Sequence, residues 1–430
     1  MSHCRLREGL QWKAHSHEAR VARTWNGKPD PPSGGARPKT RLCLTEHQAK
    51  SSVSFDKNKA NQSAHNLLSM KFLINFSIIT LLLLAGSNRT SANPPKNSLQ
   101  FFEADNPMFQ YVGRIDFRDA KKPRFWSPGV YIKAKFKGTY CELLINDQTL
   151  WGKNHNYLEI VVDGKLTRLQ TKEKVNTIVV AEGLANTAHT LLICKNTESN
   201  IGWLEFVGLK CDALLPLPAK PVRKIEFIGN SITCGTGSDE SVLPCGKGEW
   251  YDQHNAYLSY GPSVARSLNA QWSLSAVSGI GLMHSCCNMN IVMPPVFDKT
   301  DLRGDSIQWD FKKYQPDVVT ASLGQNDGIQ DSTLFCNAYI KFINDLRGHY
   351  PMAQIILLTS PMGDVKLTAA LKNYLTSIKQ TMQNQGDKKV DTYFYKKQYH
   401  EGCGGHPSLA EHQLIAEELG GFIKTKMKWR

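Results

Sequence analysis

Four short segments carry the residue types that hydrolysis through an acyl-enzyme requires: Gly229-Asn230-Ser231-Ile232-Thr233, Ser278-Gly279-Ile280-Gly281, Gly324-Gln325-Asn326-Asp327 and His406-Pro407. A serine hydroxyl is a weak nucleophile until a base takes its proton, and His406 is the candidate base for Ser231. The tetrahedral intermediate needs donors aimed at its oxyanion. The backbone N–H groups of Ser231 and Gly279 and the side-chain amide of Asn326 are the candidates. Taken singly, each segment has a bland reading: a tight turn, a helix-entry loop, a loop histidine. Their order and their placement on one scaffold point to chemistry.

That scaffold is legible in the hydrophobic pattern. Strands are expected over 224–228, 272–277, 317–323 and 354–359, and helices over 257–268 and 334–346. Leu367, Leu371, Leu375, Ile378 and Met382 fall on one helical face, and Ser408 with Glu411 forms a capping box that opens a last helix. Alternating strands and helices predict an α/β domain with a parallel sheet covered by helices on both faces. Ligands in such folds bind beyond the carboxyl ends of the strands, where the serine, glycine and asparagine segments lie.

Upstream the period changes to two. Val130, Ile132, Ala134 and Phe136 alternate with Tyr131, Lys133, Lys135 and Lys137, giving one apolar and one basic face. Tyr157 to Val162 runs into Asp163-Gly164, a hairpin signal, and further short strands follow at 177–181, 189–195 and 204–209. Short strands with no helix between them predict an N-terminal β-sandwich. The proline-rich stretch around 214–221 marks the boundary.

Composition bounds the remaining choices. The chain has 430 residues and a formal charge of +14, but residues 1–69 alone carry +7. No basic-aromatic stripe remains beyond them, so a nucleic-acid partner is not expected. Met70-Lys71, the apolar run 72–85 and the small residues Thr90-Ser91-Ala92 have the form of a secretory signal. Translation is therefore expected to begin at Met70, with 1–69 a non-native upstream extension or a disordered segment and 70–92 the signal peptide. Nine cysteines follow Met70; one loop disulfide, Cys234–Cys245, is plausible in an oxidising compartment, and the others read as buried small residues.

Together the segment Ile225–Thr233, Ser278–Gly281, Gly324–Asp327 and His406-Pro407 resemble the four blocks of the SGNH/GDSL hydrolase superfamily. Trp309 to Asp317 ahead of the asparagine block, and the β-sandwich ahead of the serine, resemble carbohydrate esterase family 2. The resemblance covers roughly 105–430. It implies a jelly-roll domain over 93–213, a proline-rich linker over 214–222 and an SGNH esterase domain over 223–430. It also implies removal of acetyl groups from plant polysaccharides such as xylan and glucomannan, with Ser231 as nucleophile, Gly279 and Asn326 as oxyanion donors and His406 as base. No metal or organic cofactor is implied, and no stable membrane insertion once the signal is cleaved. The site of action would be secreted or periplasmic.

One departure stands out. Superfamily members commonly place an aspartate two or three residues before the histidine, whereas this chain has Gly402-Cys403-Gly404-Gly405. A Ser–His dyad with a backbone carbonyl orienting the imidazole is the expectation, with Glu401 the nearest acid. The loop from Ser231 to the helix near Tyr257 carries Trp250, Tyr251 and His254; Trp250 and Tyr251 either stack on a sugar ring or pin the loop to the body. Trp309 is expected in the core. An α/β-hydrolase elbow is excluded because Thr233 stands where that motif needs glycine. His400, His406 and His412 do not share a helical face, so they do not read as a zinc set. The alternatives are an SGNH esterase acting on another acyl ester and a non-catalytic carbohydrate-binding protein on the same fold.

Overall fold

The computed structural model describes residues 99–303 and 307–430; the segments 1–69 and 70–92 lie outside the described residues. Among the described residues no helix is long and apolar enough to cross a membrane.

The N-terminal part is built from nine antiparallel strands: β1 (Gln100–Glu103), β2 (Gln110–Val112), β3 (Arg124–Phe125), β4 (Tyr131–Asp147), β5 (Tyr157–Val162), β6 (Lys165–Gln170), β7 (Val175–Ala181), β8 (Ala188–Lys195) and β9 (Leu204–Leu214). The 17-residue β4 is the central strand of this sheet and changes partners along its length. Its first half pairs with β2 and β8, its second half with β7, and β9 runs along it from Phe136 to Asp147. The register shifts between Lys137 and Cys141, where Gly138 takes φ 118°, a backbone conformation that glycine tolerates and a side chain resists. Asp163-Gly164 closes the β5–β6 hairpin with both residues at positive φ, as the dipeptide predicted. The alternating residues Ile132, Ala134 and Phe136 enter a core with Leu158, Ile193 and Phe206. The opposite face of β4 is not wholly solvated: Tyr131 is buried against Trp272 of the second domain, with ring centroids 4.0 Å apart.

The C-terminal part is a five-stranded parallel sheet of β10 (Arg223–Gly229), β11 (Ala270–Ala276), β12 (Val318–Ala321), β13 (Gln354–Leu358) and β14 (Val390–Tyr393), in the order β11-β10-β12-β13-β14. Its helices are α1 (Ser231–Cys234), α2 (Tyr260–Ser267), α3 (Met293–Val296), α4 (Ser332–His349), α5 (Val365–Asn384) and α6 (Leu409–Met427). Side chains alternate across the strands. Ile228, Val319, Ala321, Ile355 and Leu357 pack on one face with Phe335 and Phe342 of α4 and Leu371 and Ile378 of α5. Ile225, Phe227, Val318, Ile356 and Leu358 pack on the other with Tyr260 and Val264 of α2 and Ile415 and Leu419 of α6. The expected capping box at Ser408 and Glu411 is formed, and Asp331 and Asp364 cap α4 and α5. Trp309 is buried, as expected. The edge strand β14 was not anticipated: it has four residues and only Val390 is fully buried, too little pattern to read.

Strand order sets the site. From β10 the chain first crosses to β11 on one side and later returns through β12 on the other. This reversal opens a crevice at the carboxyl ends of neighbouring strands.

The two domains also share a buried ion pair. Arg114 of the sandwich places Nη2 3.1 Å from Glu226 Oε1 of β10 and donates from Nη1 to the carbonyls of Phe297 and Lys299. Both side chains are 1% exposed, so removing one partner strands the other without water. Arg114→Ala is expected to destabilise the protein by about 3–5 kcal/mol, measured by urea denaturation. A loss under about 1 kcal/mol would mean that the pair behaves like an exposed one.

Candidate active site

Ser231 follows β10 with no intervening loop. A side chain at Gly229 would collide with Thr233 Oγ1, so glycine permits the strand to turn directly into α1. Asn230 caps that single turn, its Oδ1 accepting from the N–H of Ile232 at 3.2 Å, and Gly235 ends it at φ 73°. Thr233 Oγ1 lies 2.8 Å from Tyr260 Oη, which commits that hydroxyl to the core. Ser231 is 8% exposed, and its Oγ has no hydrogen-bond partner among the described residues.

Gly279 sits in the turn after β11 at φ 83°, closed by the N–H of Ile280 donating to the Val277 carbonyl at 3.2 Å. A Cβ there would lie 2.9 Å from both Cys286 Sγ and Met289 Sδ, so conformation and space both require glycine. Asn326 follows β12 and donates from Nδ2 to the Ile280 carbonyl at 2.7 Å, which fixes the amide while leaving its second N–H unassigned. Asp327 beside it accepts from the N–H groups of Leu282, Met283 and His284. The asparagine segment is thereby tied to the loop that follows Gly279.

His406 lies in the turn before α6. Its Nδ1–H donates to the Cys403 carbonyl at 3.2 Å, leaving Nε2 without a partner among the described residues. Burial holds its pKa below the ordinary histidine value, while the carbonyls of Cys403 and Gly404 act in the opposite direction. Among the described residues no carboxylate takes the orienting position. Glu401 is exposed, and its backbone N–H donates to Glu411 Oε2 at 2.8 Å. The histidine turn is docked on the segment just after Ser231: the N–H of Cys403 donates to the Gly237 carbonyl at 2.8 Å, and that of Leu409 to the Ser238 carbonyl at 3.1 Å. His400 is exposed, and His412 is fully buried with Nδ1 accepting from the N–H of Tyr260 at 3.2 Å.

The expected Cys234–Cys245 bond does not form. Cys245 is joined to Cys403, 158 residues away, and Cys234 is a buried thiol donating toward Glu198. Spacing along the chain misled here, because α1 turns Cys234 into the core while the loop carries Cys245 to the histidine turn. Cys286 and Cys287 are also joined, in the loop over Gly279. Of the two loop aromatics, Tyr251 is 2% exposed, packs with Tyr157 and Ile201 and accepts from the N–H of His155, so it pins the loop to the sandwich. Trp250 is 50% exposed and rests edge-on against His254.

A serine, a partnerless imidazole nitrogen and two segments with donors thus stand at one edge of the sheet. Comparison with known proteins agrees with this architecture. The family model Carbohydrate esterase 2 N-terminal matches residues 111–221, and GDSL-like Lipase/Acylhydrolase family matches 227–414. A solved family two carbohydrate esterase from Clostridium thermocellum, in complex with cellohexaose, is 32% identical with a TM-score of 0.69, over 75% of this chain and 100% of that one. The chain belongs to carbohydrate esterase family 2. The Cellulase/esterase CelE of Acetivibrio thermocellus is 35% identical over 76% of this chain, which spans 40% of that protein's length. An acetylxylan esterase / glucomannan deacetylase of Cellvibrio japonicus is 27% identical over 82% of this chain and 99% of its own.

Sequence reasoning missed several groups that shape the site: Asp327, Thr236, Glu198 and the Cys245–Cys403 bond. Asp327 was visible beside Asn326, but its three backbone partners come from a loop 43 to 45 residues away. The lowered pKa of His406 has a direct consequence. A depressed pKa keeps the imidazole neutral, and able to accept a proton, to lower pH than in a free histidine. NMR titration of His406 is expected to give a midpoint below about 6.5; a midpoint above that value would contradict the burial argument.

Proposed function

We propose that this chain is a carboxylic-ester hydrolase that removes O-acetyl groups from a plant polysaccharide such as xylan or glucomannan, with Ser231 and His406 acting as a dyad. The observation that carries this reading is the convergence at one sheet edge of an open serine hydroxyl and a histidine whose Nδ1–H is held by a carbonyl. Holding Nδ1–H selects the tautomer with a basic Nε2. The relatives named for acetylxylan and glucomannan supply the substrate class.

In this mechanism His406 Nε2 takes the proton from Ser231 Oγ as the oxygen attacks the acetyl carbonyl. The oxyanion is met by the backbone N–H groups of Ser231 and Gly279 and by the second N–H of Asn326 Nδ2. Collapse expels the sugar oxygen, which receives the proton from His406, and leaves acetyl-Ser231. Water then attacks with His406 again as base, releasing acetate and restoring the serine. A carbonyl stabilises the imidazolium less than a carboxylate does. The lowered pKa of His406 is consistent with that environment.

Trp250, half exposed on the loop after Ser231, is the surface assigned to a sugar ring. The sandwich, the proline-rich linker and the esterase domain are read as 93–213, 214–222 and 223–430. Export to a secreted or periplasmic location is supported by the signal-like segment and by the Cys245–Cys403 disulfide, which suits an oxidising compartment.

Ser231→Ala is expected to reduce acetate release from acetylated xylan or glucomannan, and from a chromogenic acetate, by about 10⁴-fold or more. Folded wild type that releases no acetate from any of these sinks the catalytic reading, and retained polysaccharide binding would then favour a non-catalytic role. Trp250→Ala is expected to raise KM on the polysaccharide by about two- to tenfold, the loss of one aromatic contact, without changing KM for the chromogenic acetate. Equal changes on both substrates would mean that Trp250 supports the loop instead.

A further inference from the structure

Glu198 belongs to the sandwich, in the turn after β8, yet its carboxylate reaches the esterase site. It is fully buried. Oε2 accepts from the backbone N–H of Ser278 and lies 3.2 Å from Cys234 Sγ, and Oε1 accepts from Asn200 Nδ2 at 3.3 Å. Cys234 is the last residue of α1, the turn that begins with Ser231. Ser278 immediately precedes Gly279. One carboxylate therefore joins the element that presents the nucleophile to the turn that presents an oxyanion donor.

The surroundings argue against a role in stability alone. Removing a carboxylate from water is costly, and no arginine or lysine side chain forms an ion pair with Glu198 among the described residues. Lys195, also fully buried, donates to the backbone carbonyls of Thr197 and Glu198 and not to the carboxylate. What Glu198 has is donors: an amide N–H, a thiol and a side-chain amide, an arrangement that rewards an accept-only group. Burial raises its carboxyl pKa, and these donors offset that rise only in part. Ser278 is held from its other end as well, its Oγ lying 2.7 Å from Thr236 Oγ1, which in turn is 3.2 Å from His254 Nε2. Its position is thus defined by contacts on both the backbone and the side chain.

We propose that Glu198 is a positioning residue, supplied by the sandwich domain, that sets the spacing between the Ser231 turn and the Gly279 oxyanion turn. The proposal rests on the reading of Ser231 and Gly279 given above. It makes the sandwich part of the catalytic architecture. Without the carboxylate the Ser278 N–H and the Cys234 thiol lose their shared acceptor, and the Gly279 N–H drifts from the position the oxyanion takes. Glu198 makes no hydrogen bond to Trp250, the surface assigned to the sugar, so the loss is expected on kcat.

The test compares full-length wild type, Ser231→Ala, Glu198→Ala and Glu198→Gln on a chromogenic acetate and acetylated xylan, with thermal melts of each. Glu198→Ala is expected to lower kcat by about 10²-fold, the scale of a small misplacement at a catalytic centre, with KM within twofold of wild type. Glu198→Gln keeps one acceptor oxygen and is expected to recover about tenfold of that loss. This split and partial rescue would not follow from a general loss of stability. If Glu198→Ala fails to fold, Glu198→Gln decides: a tenfold lower kcat at unchanged KM supports the proposal. With wild type active and Ser231→Ala inactive, a folded Glu198 variant with kcat within threefold of wild type overturns the Glu198 proposal alone. A KM that rises as much as kcat falls overturns it too. Inactive wild type, or Ser231→Ala as active as wild type, removes the serine reading and the Glu198 proposal with it.

Discussion

The constraint on which the site depends is that parallel strands cannot be joined by short turns. Each crossover in the C-terminal domain must return the chain to the same end of the sheet, so every strand-to-helix junction faces one edge. Ser231, Gly279 and Asn326 each follow a different strand, and His406 precedes the last helix. They meet because of that rule and because β11 and β12 lie on opposite sides of β10. Gly229 lets β10 turn directly into α1, so the serine emerges at the edge and not a turn further on.

With a carbonyl at Nδ1, the burden of orienting His406 falls on the backbone. A carboxylate side chain swivels to meet its partner, whereas a carbonyl is only as well placed as its own peptide. The turn at Cys403 is correspondingly anchored: by hydrogen bonds to Gly237 and between Gly402 and His406, and by the covalent bond to Cys245. The same contacts join the histidine turn to the segment leaving Ser231. Ser231 and His406 are therefore held by one connected set of loops, although they are 175 positions apart in the chain.

Packing between the domains completes that set. Tyr131 against Trp272, Arg114 against Glu226 and Tyr251 against the sandwich cluster leave the N-terminal domain in intimate contact with the esterase sheet and its long loop. Of these the buried Arg114–Glu226 pair is costly to form and strict in geometry. A sandwich that only displayed a sugar-binding surface would have no need to send a carboxylate to Ser278.

Much of this was legible in the chain itself. The change from period two to alternating strands and helices identified both folds, since burial on one face imposes the spacing of apolar side chains wherever the element sits. The four chemical segments were legible for a related reason: tight turns need particular residues, and Gly279 and Asn326 adjoin strands that the pattern reveals. The short edge strand β14 escaped because its four residues bury too little to leave a pattern. Tertiary structure alone decided that Tyr251 is an anchor while Trp250 stays exposed, that Cys245 pairs with Cys403 and that Glu198 reaches Ser278, beside Gly279. These depend on which loops from distant parts of the chain meet in space. Local periodicity records which way a residue faces, but not which residue it will face.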